Sequence, residues 1–523
     1  MKNTGYWAFV SILLLSFSTL SNAANPNDNI ADHIVQTKQG QVRGTIENGI
    51  CVWKGIRYAQ APVGDLRFRA PQAVEPWPGV KDALQFGSMA PQTKSRLTND
   101  GTQSEDCLFL NVWSPAADGK KRPVMFWIHG GGFVIGEGSA SLYNGTPLAK
   151  KGDVVVVTIN YRLGPLGFLY FNNKPGFDNN LGILDQIAAL KWVKENIAAF
   201  GGDPETVTIF GESAGGTSVE TLLSTKAAKG LFKRAIAESG PPAILWSNGV
   251  ADSITRRYLS ILHIPADSLQ LLKQVPVDTL MAAEDKLLNW MIDETNNKVF
   301  SPTIDGKLIT QDIFKCMKPD IGGEVELMIG TNKNESTMFA RKDLHMVPDN
   351  SKGLEKYFDE MTTKESKLKV TKAYAKYPNK TGVLDILTDA VFRIPAVRLA
   401  ECRSMYAPVY MYRFEWSSSI LNTLGLGSFH GLEIPFVFGN HDGRLGKYLK
   451  LIATKKLVHR LTGEMQGAWL NFAKYGNPNG KDAGDWKPYT TDNRATMIFS
   501  KHSKLVVDPE KEHREAWEGV VYY

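Results

Sequence analysis

Cysteine is scarce in this chain, with four among 523 residues, at positions 51, 107, 316 and 402. None stands in a Cys-x-x-Cys pair, which excludes the common zinc and dithiol spacings. At most two disulfides are available, and a chain this long can bury a large core without them. A net charge of +6 comes without any long run of Lys or Arg, so nucleic-acid binding is not indicated. Internal repeats, low-complexity segments and Pro/Gly/Ser-rich linkers are missing, which favours a single domain. There is no Gly-x-x-x-x-Gly-Lys phosphate loop and no Gly-x-Gly-x-x-Gly opening a helix. With 43% apolar and 22% charged residues, the composition is that of an ordinary globular protein.

An apolar run from Tyr6 to Leu20 follows Lys2 and precedes Ser21-Asn22-Ala23. That order of charge, apolar stretch and small residues is expected of an export signal. The run is short for a membrane span and polar residues follow it, although a retained anchor is the alternative. The expectation is a leader at 1–23, a mature domain at 24–523, and a secreted or periplasmic location. The C-terminal Val520-Val521-Tyr522-Tyr523 carries no lipidation signal.

Beyond the leader, Ile34–Gln41 and Gly49–Gly55 read as short strands, and Val124–Ile128 and Asp153–Tyr161 as buried ones. Asn180–Phe200 has helical periodicity, with Ile183, Leu184, Ile187, Leu190, Val193 and Ile197 on one face. Gly201-Gly202 stops it, and Asp203-Pro204 turns the chain into a strand beginning at Val207. Further strands are predicted at Lys233–Ala237, Val325–Gly330 and Pro408–Phe414. Gly249–Val299 and Lys352–Lys376 read as amphipathic helical insertions. Alternating strands and helices predict a parallel sheet covered on both faces, with active-site loops at the C-terminal ends of its strands.

The strand from Val207 ends in Gly211-Glu212-Ser213-Ala214-Gly215 and feeds a helical segment. Gly-x-Ser-x-Gly in that setting is a nucleophile elbow, where a serine sits on a sharp turn and side chains at the two glycines would collide. A serine hydroxyl needs a base, an orienting acid and an oxyanion hole. In this motif the chain order is Ser, acid, His. His430, in Gly427-Ser428-Phe429-His430-Gly431, stands in a loop after the strand ending near Phe414, and His441 is its nearest rival. An unperturbed histidine would give activity that rises with pH through roughly 6 to 7. Glu335 follows the strand at Val325–Gly330, and Asp305 and Asp389 share the same window. His129-Gly130-Gly131-Gly132 follows a strand and suits an oxyanion loop, with Ala214 supplying a further backbone N–H. A phosphate cradle is the competing reading of those glycines.

These stretches resemble the type-B carboxylesterases, the family that includes the cholinesterases. Phe200-Gly201-Gly202-Asp203-Pro204 running into Val207–Gly215 is similar to the family's serine signature. Glu105-Asp106-Cys107-Leu108-Phe109-Leu110-Asn111-Val112-Trp113 is similar to its second signature. Gly55–Phe68 and Phe429-His430-Gly431 with Ile434-Pro435-Phe436 add to the likeness. The resemblance implies an α/β-hydrolase fold, a triad of Ser213, Glu335 and His430, and an oxyanion hole at Gly131, Gly132 and Ala214. It implies that Glu212 and Ser239 stand behind the site, and that Arg67–Glu105 and Arg162–Asp185 are structural ion pairs.

Two departures stand out. Ala90 occupies the position where the family carries the disulfide partner of Cys107, and Thr93–Ser104 contains no tryptophan to hold a quaternary ammonium. The expectation is therefore an exported serine carboxylesterase without special fitness for choline esters. It would act on a small-molecule ester with no metal or cofactor, bind no nucleic acid, have no stable membrane anchor, and be a monomer or weak oligomer. A lipase or amidase on the same machinery, or a non-catalytic adhesion homologue, are the alternatives. Asn-x-Ser/Thr sites occur at Asn144, Asn334 and Asn379. A glycan beside Glu335 would be hard to accommodate, which points to a bacterial host that does not glycosylate such sites.

Overall fold

The computed structural model describes residues 33–520 apart from 94–100, 242–244, 295–299, 311–312, 315–321, 342–343, 345, 442–448, 450–452 and 482–483. The expected leader at 1–23 lies outside the described residues, as does Cys316.

Thirteen strands among the described residues form one sheet. In chain order they are β1 (His33–Gln36), β2 (Gln41–Glu47), β3 (Ile50–Arg57), β4 (Val80–Asp82), β5 (Phe109–Ser114), β6 (Arg122–Ile128) and β7 (Val155–Ile159). They continue as β8 (Gly202–Glu212), β9 (Arg234–Glu238), β10 (Glu326–Asn332), β11 (Val409–Phe414), β12 (Ala495–Phe499) and β13 (Lys504–Val507). Their spatial order is β1-β2-β3-β5-β7-β6-β8-β9-β10-β11-β12-β13, with β4 beside β2. The run from β7 to β12 is parallel throughout, and the strands flanking it pair antiparallel except β4, which runs parallel to β2.

The sheet is mixed because its edges are hairpins, for which a sequence reading centred on strand–helix alternation has no place. Ile34–Gln41, expected as one strand, is broken at Thr37, whose N–H and hydroxyl both donate to the Gly40 carbonyl. That turn separates β1 from β2.

Side chains that alternate along each central strand go to opposite cores. Val124, Phe126 and Ile128 of β6 join one cluster with Ile183, Ile187, Leu190 and Val193 of helix α1 (Leu181–Asn196). Met125 and Trp127 of the same strand join a second cluster, with Leu461, Met465, Trp469 and Phe472 of a long helix at Lys455–Tyr475. Both faces are thus covered, which is why every residue of β7 is buried and all but Thr158 are apolar. The expected insertions are helical. Asn248–Ile261 and Val277–Glu294 lie in the first. Ser351–Met361 and Lys364–Ala373 lie in the second, which has a small core of its own sealed by Trp517.

Two buried ion pairs fasten loops to this frame. The Arg162 guanidinium forks onto Asp185 at 2.6 and 2.8 Å, and Arg67 forks onto Glu105 at 2.6 Å twice. Cys51 and Cys107 are buried free thiols, whereas Cys402 is disulfide-bonded.

Candidate active site

Four loops converge at the C-terminal ends of parallel strands. β8 delivers Ser213, which caps the N-terminus of helix α2 (Ala214–Leu223) with φ +59° and ψ −124°. A non-glycine residue is held in so strained a conformation only where the surroundings over-determine it. Here the two glycines supply the room. A Cβ on Gly215 would lie 2.0 Å from the Ile128 carbonyl oxygen, and one on Gly211 would lie 2.6 Å from the same atom. The half-buried Ser213 side chain is thereby presented at the top of the sheet.

β6 delivers the glycine loop. A Cβ on Gly130 would stand 3.1 Å from Ser213 Cβ, so this loop runs directly against the elbow. Gly131 (φ +110°) could carry no side chain, because a Cβ would lie 2.0 Å from the Ile135 carbonyl oxygen. Gly132 has open space around it, and its requirement is the positive φ of +63°. The N–H groups of Gly131, Gly132 and Ala214 donate to no acceptor among the described residues. Three free donors beside a serine can stabilise an oxyanion. His129 is buried, stacked on Tyr161 at 4.4 Å, and its Nδ1 lies 2.8 Å from the Gly130 carbonyl oxygen. Burial drives its pKa down to about 4, so it props the loop as a neutral ring.

β10 and β11 deliver the other two groups. Nδ1–H of His430 donates to Glu335 Oε2 at 2.6 Å. The other carboxylate oxygen, Oε1, accepts from the Asn332 N–H, also at 2.6 Å. His430 Nε2 has no hydrogen-bond partner among the described residues and lies 3.1 Å from Glu212 Oε1. Glu212 is the residue before Ser213, so this nitrogen lies beside the carboxylate of an elbow residue. Hydrogen bonds between a base and a nucleophile commonly form or tighten only with substrate bound. The rings of Phe339 and Phe392 flank the imidazole at 5.0 and 5.1 Å.

The rival residues lie elsewhere in the network. His441 Nε2 pairs with the Thr462 hydroxyl at 3.0 Å. Asp305 caps the N–H groups of Lys307, Leu308 and Ile309. Asp389 holds both arms of Arg393.

The electrostatics depart from the sequence expectation. Burial opposes charging of His430, but Glu212 and Glu335 on either side of the ring, with Glu433 behind, outweigh it and raise its pKa to about 9. An unperturbed histidine near 6 to 7 is therefore not what the fold provides. Glu212 is itself pushed up to about 7, first by burial. Glu433 is pushed up to about 8 by burial and by the neighbouring carboxylates.

The carboxylesterase family model matches residues 31–517. The chain belongs to this family. Over 487 residues it is 42% identical to the para-nitrobenzyl esterase of Bacillus subtilis, covering 92% of this chain and 98% of that one. It is 33% identical over 521 residues to the cholinesterase of Mus musculus, covering 91% and 84%. Among solved structures, a PNB esterase superposes with a TM-score of 0.82 at 40% identity, over 92% of this chain and 99% of that one. A carboxylesterase of Geobacillus stearothermophilus superposes with a TM-score of 0.83 at 39% identity, over 93% and 100%. The fold is accordingly the α/β-hydrolase fold, and the protein is a serine carboxylic ester hydrolase.

Other neighbours of the esterase's site escaped the sequence reading. Glu433 lies behind the imidazole and accepts from the Asn332 amide. Phe392 reaches the site from a single π-helical turn at Asp389–Arg393, a feature often found beside functional sites. Phe392 has no local signal, because it meets His430 across a long sequence separation. Glu433 has one, its place three residues after His430.

Proposed function

We propose that Ser213 is the nucleophile, His430 the general base and acid, and Glu335 the residue that orients and charges the imidazole. In this reading the Ser213 hydroxyl attacks an ester carbonyl while Nε2 of His430 takes its proton. The N–H groups of Gly131, Gly132 and Ala214 hold the developing oxyanion. His430 then protonates the leaving alcohol, and water, activated by the same nitrogen, releases the acid from the acyl-enzyme. The observation that carries the reading is the 2.6 Å His430–Glu335 bond, with the other imidazole nitrogen 3.1 Å from Glu212, the residue before Ser213.

We further propose that the enzyme is exported with residues 1–23 removed, works without a metal or cofactor, and acts as a monomer or weak oligomer on small esters. Among the described residues no helix is long and apolar enough to cross a membrane.

The test is substitution with active-site labelling. Ser213→Ala and His430→Ala should each lower kcat by several powers of ten, as removal of triad members does. His441→Ala should retain most activity, and an organophosphate should modify Ser213 stoichiometrically. Full turnover by Ser213→Ala, or loss in His441→Ala with His430→Ala active, would overturn the assignment. Turnover of matched amides equal to that of the esters would instead favour an amidase.

A further inference from the structure

Glu335 and His430 come from different strands, and their meeting depends on how the loop after β10 is sewn to the loop after β11. The sewing runs through Asn334, a residue that the sequence marks only as a glycosylation motif. Its backbone N–H donates to the Ser428 carbonyl at 3.0 Å, and its side-chain Oδ1 accepts from the Ser428 N–H at 3.1 Å. One residue thus makes a closed pair of bonds with the position two before His430, while its own neighbour in sequence is Glu335.

The surroundings make this pair specific. Ser428 is fully buried, and its hydroxyl donates to the Phe414 carbonyl at 2.8 Å at the end of β11. Gly427 has φ +59°, and a Cβ there would lie 2.3 Å from Asn334 Oδ1, so only glycine lets the amide seat. The Thr337 hydroxyl lies 2.7 Å from the Asn334 carbonyl and 2.6 Å from the Leu426 carbonyl, bridging the same two loops one turn further on.

We propose that Asn334 is a positioning residue, whose paired bonds to Ser428 hold the imidazole of His430 at hydrogen-bonding distance from Glu335. The proposal rests on the triad reading above. Loosening the clamp lets the base loop drift from the acid loop. A displacement of about 1 Å at a reacting group costs on the order of a hundred-fold in rate. The groups that charge the imidazole are Glu335 on Nδ1, Glu212 facing Nε2, and Glu433 behind. Slackening the Glu335 contact removes part of what favours the imidazolium. The rising limb of kcat/KM against pH must then move to lower pH.

The experiment compares wild type with Asn334→Ala, Asn334→Asp and Thr337→Val, each normalised by organophosphate titration, and with a Ser213→Ala control normalised by protein concentration. Asn334→Ala should lower kcat roughly ten- to a hundred-fold with KM within about three-fold. It should also shift the pH midpoint downward, and Asn334→Asp, which keeps an acceptor oxygen, should restore both. Asn334→Ala with wild-type kcat and pH midpoint overturns the proposal. So does a lowered amplitude with the midpoint unmoved, which is what a merely structural role would give. Where Asn334→Ala fails to fold, Thr337→Val decides in the same terms: a lowered kcat with a lowered midpoint supports the clamp, and wild-type values overturn it. Activity in Ser213→Ala would show that the triad reading itself had failed.

Discussion

Nε2 of His430 stands 3.1 Å from Oε1 of Glu212, while Nδ1 of the same ring donates to Glu335. The imidazole proposed to accept the serine proton is therefore held between two carboxylates. Both favour its charged form, so its pKa lies well above that of a free histidine. This stabilises the imidazolium formed during attack, and it leaves less of the neutral base available at a given pH.

Removing the Glu212 charge should reverse part of that shift. Glutamine in place of Glu212 keeps the shape and deletes the anion facing Nε2, so the imidazolium loses stabilisation and its pKa falls. The rising limb of kcat/KM should move to lower pH by at least about one unit, equivalent to ~1.4 kcal/mol. A pH–rate profile of Glu212→Gln checks this. An unmoved limb would mean that Glu212 is already protonated in the free enzyme over the working range.

Cys107 should behave as an inert thiol in the native protein. It is fully buried and unpaired, and burial pushes its pKa far above the ordinary range, so almost no thiolate forms. Ala90, also buried, occupies the place where the family carries a partner. A thiol reagent should leave Cys107 untouched in the folded enzyme and label it after denaturation without reductant. Labelling of the native protein at Cys107, or its recovery in a disulfide-linked peptide, would contradict this.

Glu220 presents a different buried group. It lies on α2, has no exposure, and neither carboxyl oxygen has a hydrogen-bond partner among the described residues. Burial raises its pKa well above the usual carboxylate value. A carboxyl whose folded pKa exceeds its unfolded one takes up a proton on folding. Its favourable contribution is complete below about pH 4.3 and declines as pH rises towards the folded pKa, by up to about 1.4 kcal/mol per unit. Glu220→Gln should therefore be more stable than wild type at pH 8, with the gain vanishing near pH 4. Urea midpoints at the two pH values measure it. An equal change at both would show that the carboxyl does not titrate between the folded and unfolded states.

The parts of this enzyme legible in the sequence share one property, a local physical demand. Val155–Ile159 declares itself because a strand buried on both faces favours β-branched and apolar residues, and its one hydroxyl, on Thr158, is hydrogen-bonded to the Gly138 carbonyl. Gly211 and Gly215 do so because the elbow has no space for Cβ atoms. β5 lacks so plain a signal, since its Phe-Leu-Asn-Val-Trp-Ser run carries a buried polar residue. Asn111 earns its place only through bonds to the Gly55 N–H and the Thr158 hydroxyl, 56 and 47 residues away in sequence. The same limit applies at the site. Glu335 and His430 sit at predictable strand ends, but the contacts of Glu433 with Asn332, of Phe392 with His430 and of Asn334 with Ser428 exist only after folding. No periodicity encodes them.

The last prediction concerns choline esters. A desolvated aromatic face contributes about 2 kcal/mol to a bound quaternary ammonium, roughly thirty-fold in affinity. The tryptophans that could stand in for a missing choline-site aromatic are all engaged elsewhere. Trp77 carries Lys81 at 4.2 Å, Trp290 carries Arg257 at 5.1 Å, and Trp113 is buried against Phe86. Two rings do reach the proposed base, Phe339 and Phe392, but both flank the His430 imidazole, and Phe392 is buried. That imidazole becomes cationic during attack, so a substrate ammonium seated on the same rings would compete with it and be repelled by it. Butyrylcholine and an uncharged isostere of the same shape should consequently give kcat/KM values within about ten-fold, or ~1.4 kcal/mol. A larger preference for the cation would mean that Phe339 turns its face to the substrate. Phe339→Ala would then abolish the preference while sparing the uncharged ester.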